Sequence, residues 1–476
     1  MRNNKKERIK TRILILLIIT SVIQLGIHWY MQTQRLPFNF ISKIFAANGR
    51  TANLDVESLR NQYFVPETIM VSISTSYWRL DARDSQFEKV WEDIRDHYIP
   101  AIIRQKPDKI LPKEQWAAIT GARYIRIDFN AIWPANVINW LTEARPSDTK
   151  GFEGIKSIVI APHLDVNETV NTIFIYDDNQ IYQYLININR EFLPKRYYSN
   201  LADELSSKNK PSLRLLTSVS NFTSDKEIFV ALNDGRGSAF STIRAVIPDE
   251  IVLNRTNMEN YNIQDNILLD KKESLSANYT DSSRYVLFTD TENLYRLYND
   301  GVLEYKFIPS IASGQDNASA AFKHAVTFIE QRRHLVGEAN IFLKSIYKEN
   351  NYYMMEFEYK VDGVPIYFTE NRDSEILAPI IIKANSERIL ECRWVIRNFT
   401  RADKPINYNI DFPDLLNKQI VSTYPEILES SDKSFDRIEP GYIFELNDLK
   451  SVLLAPNWII STDSENYFLP LLRKGE

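Results

Sequence analysis

The sequence predicts an α+β protein: a single N-terminal transmembrane helix, then a multi-domain extracytoplasmic body of antiparallel sheets with packed helices. Three observations predict it. Residues 13–30 carry no charge and follow a basic tail. Beyond them, short segments of alternating apolar and polar residues are interleaved with amphipathic helical patterns. A helix followed by paired strands then recurs, as in a duplication of small α+β units.

The apolar run ILILLIITSVIQLGIHWY is 18 residues long, about 27 Å as a helix. That length spans a hydrocarbon layer of roughly 30 Å when its flanks contribute. Residues 1–12 hold six bases against Glu7 alone, which keeps this end cytoplasmic. Trp29 and Tyr30 stand where an aromatic belt meets the outer interface. The run is long for a signal-peptide core, and no small-residue cleavage pattern follows closely, so it reads as an uncleaved anchor. From Ile13 onward 51 bases face 61 acids, a net charge of -10 against -5 for the whole chain. A body that acidic does not bind nucleic acid.

Within the anchor, Thr20, Gln24 and His28 share one helical face at i, i+4 and i+8, with Ser21 beside them. Polar groups in lipid are costly and hydrogen-bond neighbouring helices, which makes these four residues candidates for a transmembrane partner contact. The bland alternative has Thr20 and Ser21 bonded to their own backbone while Gln24 and His28 reach the headgroups.

Residues 31–66 read as a linker. A first α+β domain follows at 67–190. TIMVSIST and YIRIDF alternate as strands. DSQFEKVWEDIRDHYIPAIIR is helical, with Phe87, Val90, Trp91 and Ile94 on one face. ANVINWLTEA is a short helix, and TIFIYDDNQIYQYLI a hairpin turning at Asp177-Asp178-Asn179. A middle α+β domain at 191–290 opens with a helix over REFLPKRYYSNLADELSSK. It continues with strands SLRLL, EIFVAL and STIRAVI and a helical stretch NMENYNIQDNILL. The C-terminal domain, 291–476, holds hairpins turning at Asn299-Asp300-Gly301, Glu349-Asn350 and Asp362-Gly363. Its helix NASAAFKHAVTFIEQRR lines up Ala321, Phe322, Ala325, Phe328 and Ile329. ILECRWVIRNFT alternates as one strand, DLLNKQIVSTY is helical, and GYIFELN, SVLLAPNWIIST and ENYFLPLL close the chain.

Local catalytic signatures are missing. The one cysteine, Cys392, excludes an intrachain disulfide or a multi-cysteine zinc site. His334 lacks the second histidine of a HExxH motif, and Phe240 stands where Gly235-x-Gly237 would need a third glycine. His163, Asp165 and Glu168 read as an ordinary loop, and Glu88, Glu92, Asp93, Asp96 and His97 as a solvated helix face. No catalytic residue, cofactor or metal ligand is assigned. Paired carboxylates need not be local in sequence. An anchored wall-acting enzyme and a structural component of a wall-synthesis complex therefore stay as alternatives.

Three segments carry a resemblance: LYRLYNDGVLEYKF (294–307), YYMMEFEYKVDGVPI (352–366) and LLAPNWIISTDSENYFL (453–469). With the basic tail, the single anchor and the long outer body, they resemble the YycH family of membrane-anchored proteins from low-GC Gram-positive bacteria. The linker and middle region depart most from that pattern, and the sister protein YycI is a near alternative. The resemblance implies a non-enzymatic regulator of the sensor histidine kinase WalK (YycG), a two-component system controlling cell-wall metabolism. Its implied partners are the kinase and a YycI-like accessory protein. The anchor would pack on the kinase's transmembrane helices and the outer domains would bind both partners. The sign of regulation is not implied.

Overall fold

The computed structural model describes residues 55–475 except 74, 81–83, 122, 145–150, 162–169, 188–196, 208–211, 221, 225–226, 233–236, 260–261, 269–275, 279–283, 290, 310–315, 371–374, 426–433, 447–450 and 463–464. The anchor at 13–30, with Thr20, Ser21, Gln24 and His28, lies outside the described residues, as do His163, Asp165 and Glu168. Among the described residues no helix is long and apolar enough to cross a membrane. The described residues belong to one unit, Asp55–Glu476, and the expected boundaries at 190 and 290 fall inside it.

The protein is a mixed α+β, sheet-rich structure with few helices. Helix α1 (Val56–Tyr63) opens it. Twelve residues of the expected 31–66 linker are thus packed structure, because Leu59, Tyr63 and Phe64 are buried. The first sheet comprises β1 (Thr68–Ile73), β2 (Ser76–Leu80), β3 (Lys109–Pro112), β4 (Tyr124–Pro134), β5 (Gly154–Ala161), β6 (Val170–Tyr176), β7 (Gln180–Asn187), β8 (Leu213–Leu215) and β9 (Phe229–Ala231). Their order is β3-β7-β6-β5-β4-β1-β2-β8-β9. Every pairing in it is antiparallel. The β6–β7 hairpin turns where Asp177-Asp178-Asn179 predicts: Asp178 has φ +79°, and Asp177 accepts from the amides of Asn179 and Gln180.

Helices α2 (Ser85–Asp93), α3 (Ala135–Leu141) and α4 (Tyr197–Ser207) pack around this sheet. Phe87, Val90, Trp91 and Ile94 are all buried, as their spacing predicts. The helix does not continue as regular α. A π turn, Ile94–Tyr98, intervenes before α geometry resumes at Ile99–Ile103. Pro100 offers no N–H to the preceding turn, and a locally widened turn is one way a helix absorbs that loss.

Strands β10 (Ser238–Phe240) and β11 (Ile243–Val246) follow. The second large sheet is built on β12 (Ser276–Asn278), β13 (Tyr285–Thr289), β14 (Asn293–Tyr298), β15 (Val302–Phe307), β16 (Asn340–Glu349), β17 (Tyr352–Val361), β18 (Val364–Thr369), β19 (Ile376–Leu377), β20 (Ile380–Ala384) and β21 (Ile389–Val395). Then come β22 (Asn398–Arg401), β23 (Ile406–Tyr408), β24 (Phe435–Glu445), β25 (Ser451–Leu454), β26 (Pro456–Thr462) and β27 (Asn466–Pro470). The main path is β12-β13-β14-β15-β21-β20-β17-β18-β24-β26-β27, with β16 on β17 and β19 on β18. Here β18 and β24 run parallel.

The three expected C-terminal hairpin turns are present. Asn350, Asp362, Gly301 and Gly363 all have positive φ. Gly301 is required twice over, since a Cβ there would sit 2.6 Å from the Arg397 guanidinium. Helix α5 (Ala318–Glu330) is capped by Asn317, which accepts from the Ala320 amide, and its five predicted apolar residues are buried.

Two expected strands are broken. ILECRWVIRNFT divides at Ile396-Arg397: β21 stays in the large sheet, while β22 joins β11 and β25 in a three-stranded sheet. The Ile396 amide bonds the Gly301 carbonyl, and Arg397 is 1% exposed, so the chain turns inward there. SVLLAPNWIIST divides at Ala455 in the same way, with β25 and β26 in different sheets. SLRLL also ends early, in a short helix at Leu216–Val219.

Candidate functional site

Three arrangements bring polar chemistry together. The first joins α1 to α5. Tyr63 Oη and Gln62 Nε2 each donate to Glu330 Oε1 at 2.6 Å. Burial pushes the Glu330 carboxyl above its ordinary range, against the hydrogen bonds from Tyr63 and Gln62 and the charge of Arg333. Around it, the Tyr63 ring meets Phe322 and Phe357 edge-on, both at 6.2 Å. Phe64 stacks on Phe129 of β4 at 5.3 Å and meets Trp91 and Trp133. The first helix of the described chain is thereby held by both large sheets.

The second lies where β4 faces the second sheet. Asn130 Nδ2 donates to Glu358 Oε1 at 2.8 Å, and Lys156 Nζ donates to the Asn130 carbonyl at 2.7 Å. Glu358 pairs with Lys360 at 3.2 Å, their side chains 14% and 7% exposed. Burial would lower the Lys360 ammonium, but Glu358, Glu67 and Glu439 outweigh it and raise it. Glu67 retains exposed surface, yet its carboxyl is crowded by protein and held above the usual range, Lys360 opposing. Beside them, Arg437 pairs with Glu439 at 3.2 Å and Tyr367 Oη donates to the same carboxylate.

The third is a pocket of about 560 Å³ between α1, the π-turn helix, the end of α3 and the end of β7. His97, Pro100, Ala101 and Arg104 line it at i, i+3, i+4 and i+7, one helical face. Arg60, Asp96, Thr142 and Asn187 complete the wall. Asp96 is gripped by both Nε and Nη2 of Arg95 at 2.8 Å. Burial pushes its carboxyl up, but Arg95, then Arg60 and His97, outweigh that and hold it below the carboxylate range.

Asp96 and His97 are exposed, as a solvated face predicts, and Asp93 alone departs from it. Asp93 is 6% exposed and accepts from Tyr198 Oη at 2.5 Å, a partner more than a hundred residues away. Sequence reasoning missed Arg60, Thr142 and Asn187 because they arrive from three separate elements. Cys392 behaves as packing: it is buried and its thiol is pushed up to about 12 by desolvation. His334 bonds Asn266 Oδ1 at 2.6 Å. Among the described residues no three His, Cys, Asp or Glu side chains gather where a metal ion would sit. The three segments that carry the family resemblance form the β14–β15 hairpin, the β17–β18 hairpin and β25–β27. Many of their described residues are turn or core residues. Tyr359 Oη, for example, accepts from Trp394 Nε1 and donates to the Val395 carbonyl.

The fold defines a class, a sheet-rich α+β body, and within that class it matches a particular solved protein. The crystal structure of YycH from Bacillus subtilis superposes with a TM-score of 0.50 at 13% sequence identity, covering 86% of this chain and 96% of that one. The likeness is one of fold. A crystal structure of an uncharacterized protein from Eubacterium rectale ATCC 33656 gives a TM-score of 0.32 at 11% identity, over 58% of this chain and 97% of that one. No family profile matches the sequence, and no curated protein matches it.

Proposed function

We propose that this protein is a membrane-anchored, extracytoplasmic, non-enzymatic regulator of a sensor histidine kinase of the WalK/YycG type, serving cell-wall metabolism alongside a YycI-like accessory protein. The observation that carries the reading is the YycH-like fold over 86% of the chain. The order of the three resembling segments and the basic tail before an uncharged 13–30 run support it. In this reading residues 1–12 are cytoplasmic, 13–30 anchor the chain, and Thr20, Ser21, Gln24 and His28 face the kinase's helices. Regions 67–190, 191–290 and 291–476 form the outer body. A duplication of small units, each a helix followed by antiparallel strands, is part of the proposal; its support is that the helix over 318–330 precedes β16–β18 and the helical segment over 412–423 precedes β24–β27. Regulation then works by unequal affinity for the kinase's two signalling states.

The test replaces residues 13–30 with an unrelated transmembrane helix. A matched variant carries Thr20→Leu, Gln24→Leu and His28→Leu. Target-promoter output of the cognate kinase is measured in both. A shift equal to that of a deletion strain, with the outer body folded and displayed, supports the proposal. Unchanged output in both variants and in the deletion strain overturns it. An activity on wall polymers lost with one or two carboxylates would instead support the enzyme, and stoichiometric co-purification with wall machinery a structural component.

A further inference from the structure

The pocket beside α1 is polar and cationic, and nothing above uses it. Its one carboxylate, Asp96, is already engaged in a two-point ion pair with Arg95. Asp96 also feels the charge of Arg60, and Arg104 adds a further cation to the same wall, with His97 on the same helical face as Arg104. The Arg60 Nε–H is buried and meets no acceptor. That nitrogen has no surface to offer a ligand, so an incoming acceptor would be met by the other N–H groups of the guanidinium. The guanidinium fork presents paired N–H groups that match carboxylate or phosphate oxygens. Thr142 Oγ1 donates to the Ile138 carbonyl, while Asn187 brings an uncharged amide to the wall. The space, about 560 Å³, is open to solvent and exceeds what a bare tetrahedral anion fills.

We propose that this pocket binds a phosphate-bearing ligand, its anionic oxygens taken by Arg60 and Arg104, its polar remainder resting against His97, Thr142 and Asn187. A phosphate is favoured over a carboxylate because two arginines line the same wall, and a tetrahedral dianion has oxygens enough for both. The site rests on its own geometry, independently of the kinase reading. Because Arg60 belongs to the helix that Glu330 holds, occupancy stabilises the α1 docking by simple linkage.

The full-length protein in detergent is titrated with inorganic phosphate and with glycerol phosphate, following intrinsic tryptophan fluorescence and heat. Arg60→Gln, Arg104→Gln and the distant Arg401→Gln, which removes the same charge, are run in parallel. Vesicles of phosphatidylglycerol and of phosphatidylcholine form a third arm, distinguishing a lipid headgroup from a soluble phosphate source. Saturable millimolar or tighter binding is expected, weakened roughly tenfold or more in the Arg60 and Arg104 variants and unchanged in the Arg401 variant. Glycerol phosphate binding tighter than phosphate confirms that the remainder of the pocket is used. No saturation by either probe and no preference for the anionic vesicle overturns the proposal, as does equal weakening in all three variants. Kinase output is not read in this experiment, so its result stands apart from that of the anchor exchange.

Discussion

Two regions join the first sheet to the second, and they do so by opposite means. One is aromatic: Phe64, Trp91, Phe129, Trp133 and Phe322, drawn from α1, α2, β4 and α5, with ring centroids 5.0–5.6 Å apart. The other is ionic: Asn130, Glu358, Lys360 and Glu67, joined by hydrogen bonds and charge. Aromatic burial stabilises in proportion to area and tolerates small displacements. The ionic region contributes little net stability, because desolvation offsets its attraction, but it is unforgiving of a missing partner. The aromatic region therefore supplies adhesion, and the ionic region fixes how the two sheets register.

The largest expected effect breaks the aromatic side. Trp133→Ala removes a side chain 2% exposed at the centre of the cluster. A loss of about 3–5 kcal/mol is expected, read from denaturant unfolding. A loss under about 1 kcal/mol would show that the two sheets do not depend on this contact.

The next breaks the ionic side. Lys360→Met leaves Glu358 buried without its cation, and a cost of roughly 3 kcal/mol is expected. Adding Glu358→Leu to it should recover most of that loss, because the uncompensated charge is gone. If the double variant is no better than the single one, the pair is held for its hydrogen bond to Asn130 rather than for its charge.

A smaller effect sharpens the boundary between the two regions at Glu330, a carboxylate standing among rings. Its folded pKa lies above its unfolded value. Its contribution to stability is therefore fully present at acid pH, below the unfolded value, and is lost as pH rises through the folded one. Glu330→Gln keeps an acceptor for Tyr63 and Gln62 but cannot ionise. Thermal midpoints of the variant should exceed those of the parent near neutrality and converge with them towards pH 4. Parallel curves across that window would mean that Glu330 titrates as an ordinary carboxyl.

The smallest effect is a control on the surface. Lys348 and Asp316 pair at 2.5 Å with side chains 47% and 60% exposed. Lys348→Ala should change stability by less than about 1 kcal/mol, and salt should erase the difference.

Much of the fold was legible where a local cause is sufficient. Positive φ at Asn350, Asp362 and Gly363 follows from residue chemistry, so the hairpins could be placed at their turns. The buried face of α5 follows from spacing alone. What could not be read depends on partners remote in sequence. Apolar residues run up to Ile396 and through Ala455 with no turn pair of the hairpin kind, yet the neighbouring strand changes there. The π turns add a residue that no apolar period announces. In the pocket, Asp96 and His97 were visible as a helix face. Their meaning as part of a cationic wall required Arg60, Thr142 and Asn187, contributed by elements up to about 130 residues apart.

The divided strands have a consequence for how the chain reaches this state. The three-stranded sheet takes its central strand from residues 243–246 and its flanking strands from 398–401 and 451–454. During synthesis, β11 therefore waits with both edges bare until roughly 150 further residues have emerged, and with one edge bare until roughly 200 have. Such distant closures are slow, and unpaired edges invite the wrong neighbour. A chain that stops short of β25 would leave β11 half-clothed, and β18 would keep β24 without the β26–β27 border beyond it. Vulnerability to truncation is thus concentrated at the last strands, far from the helix that begins the body.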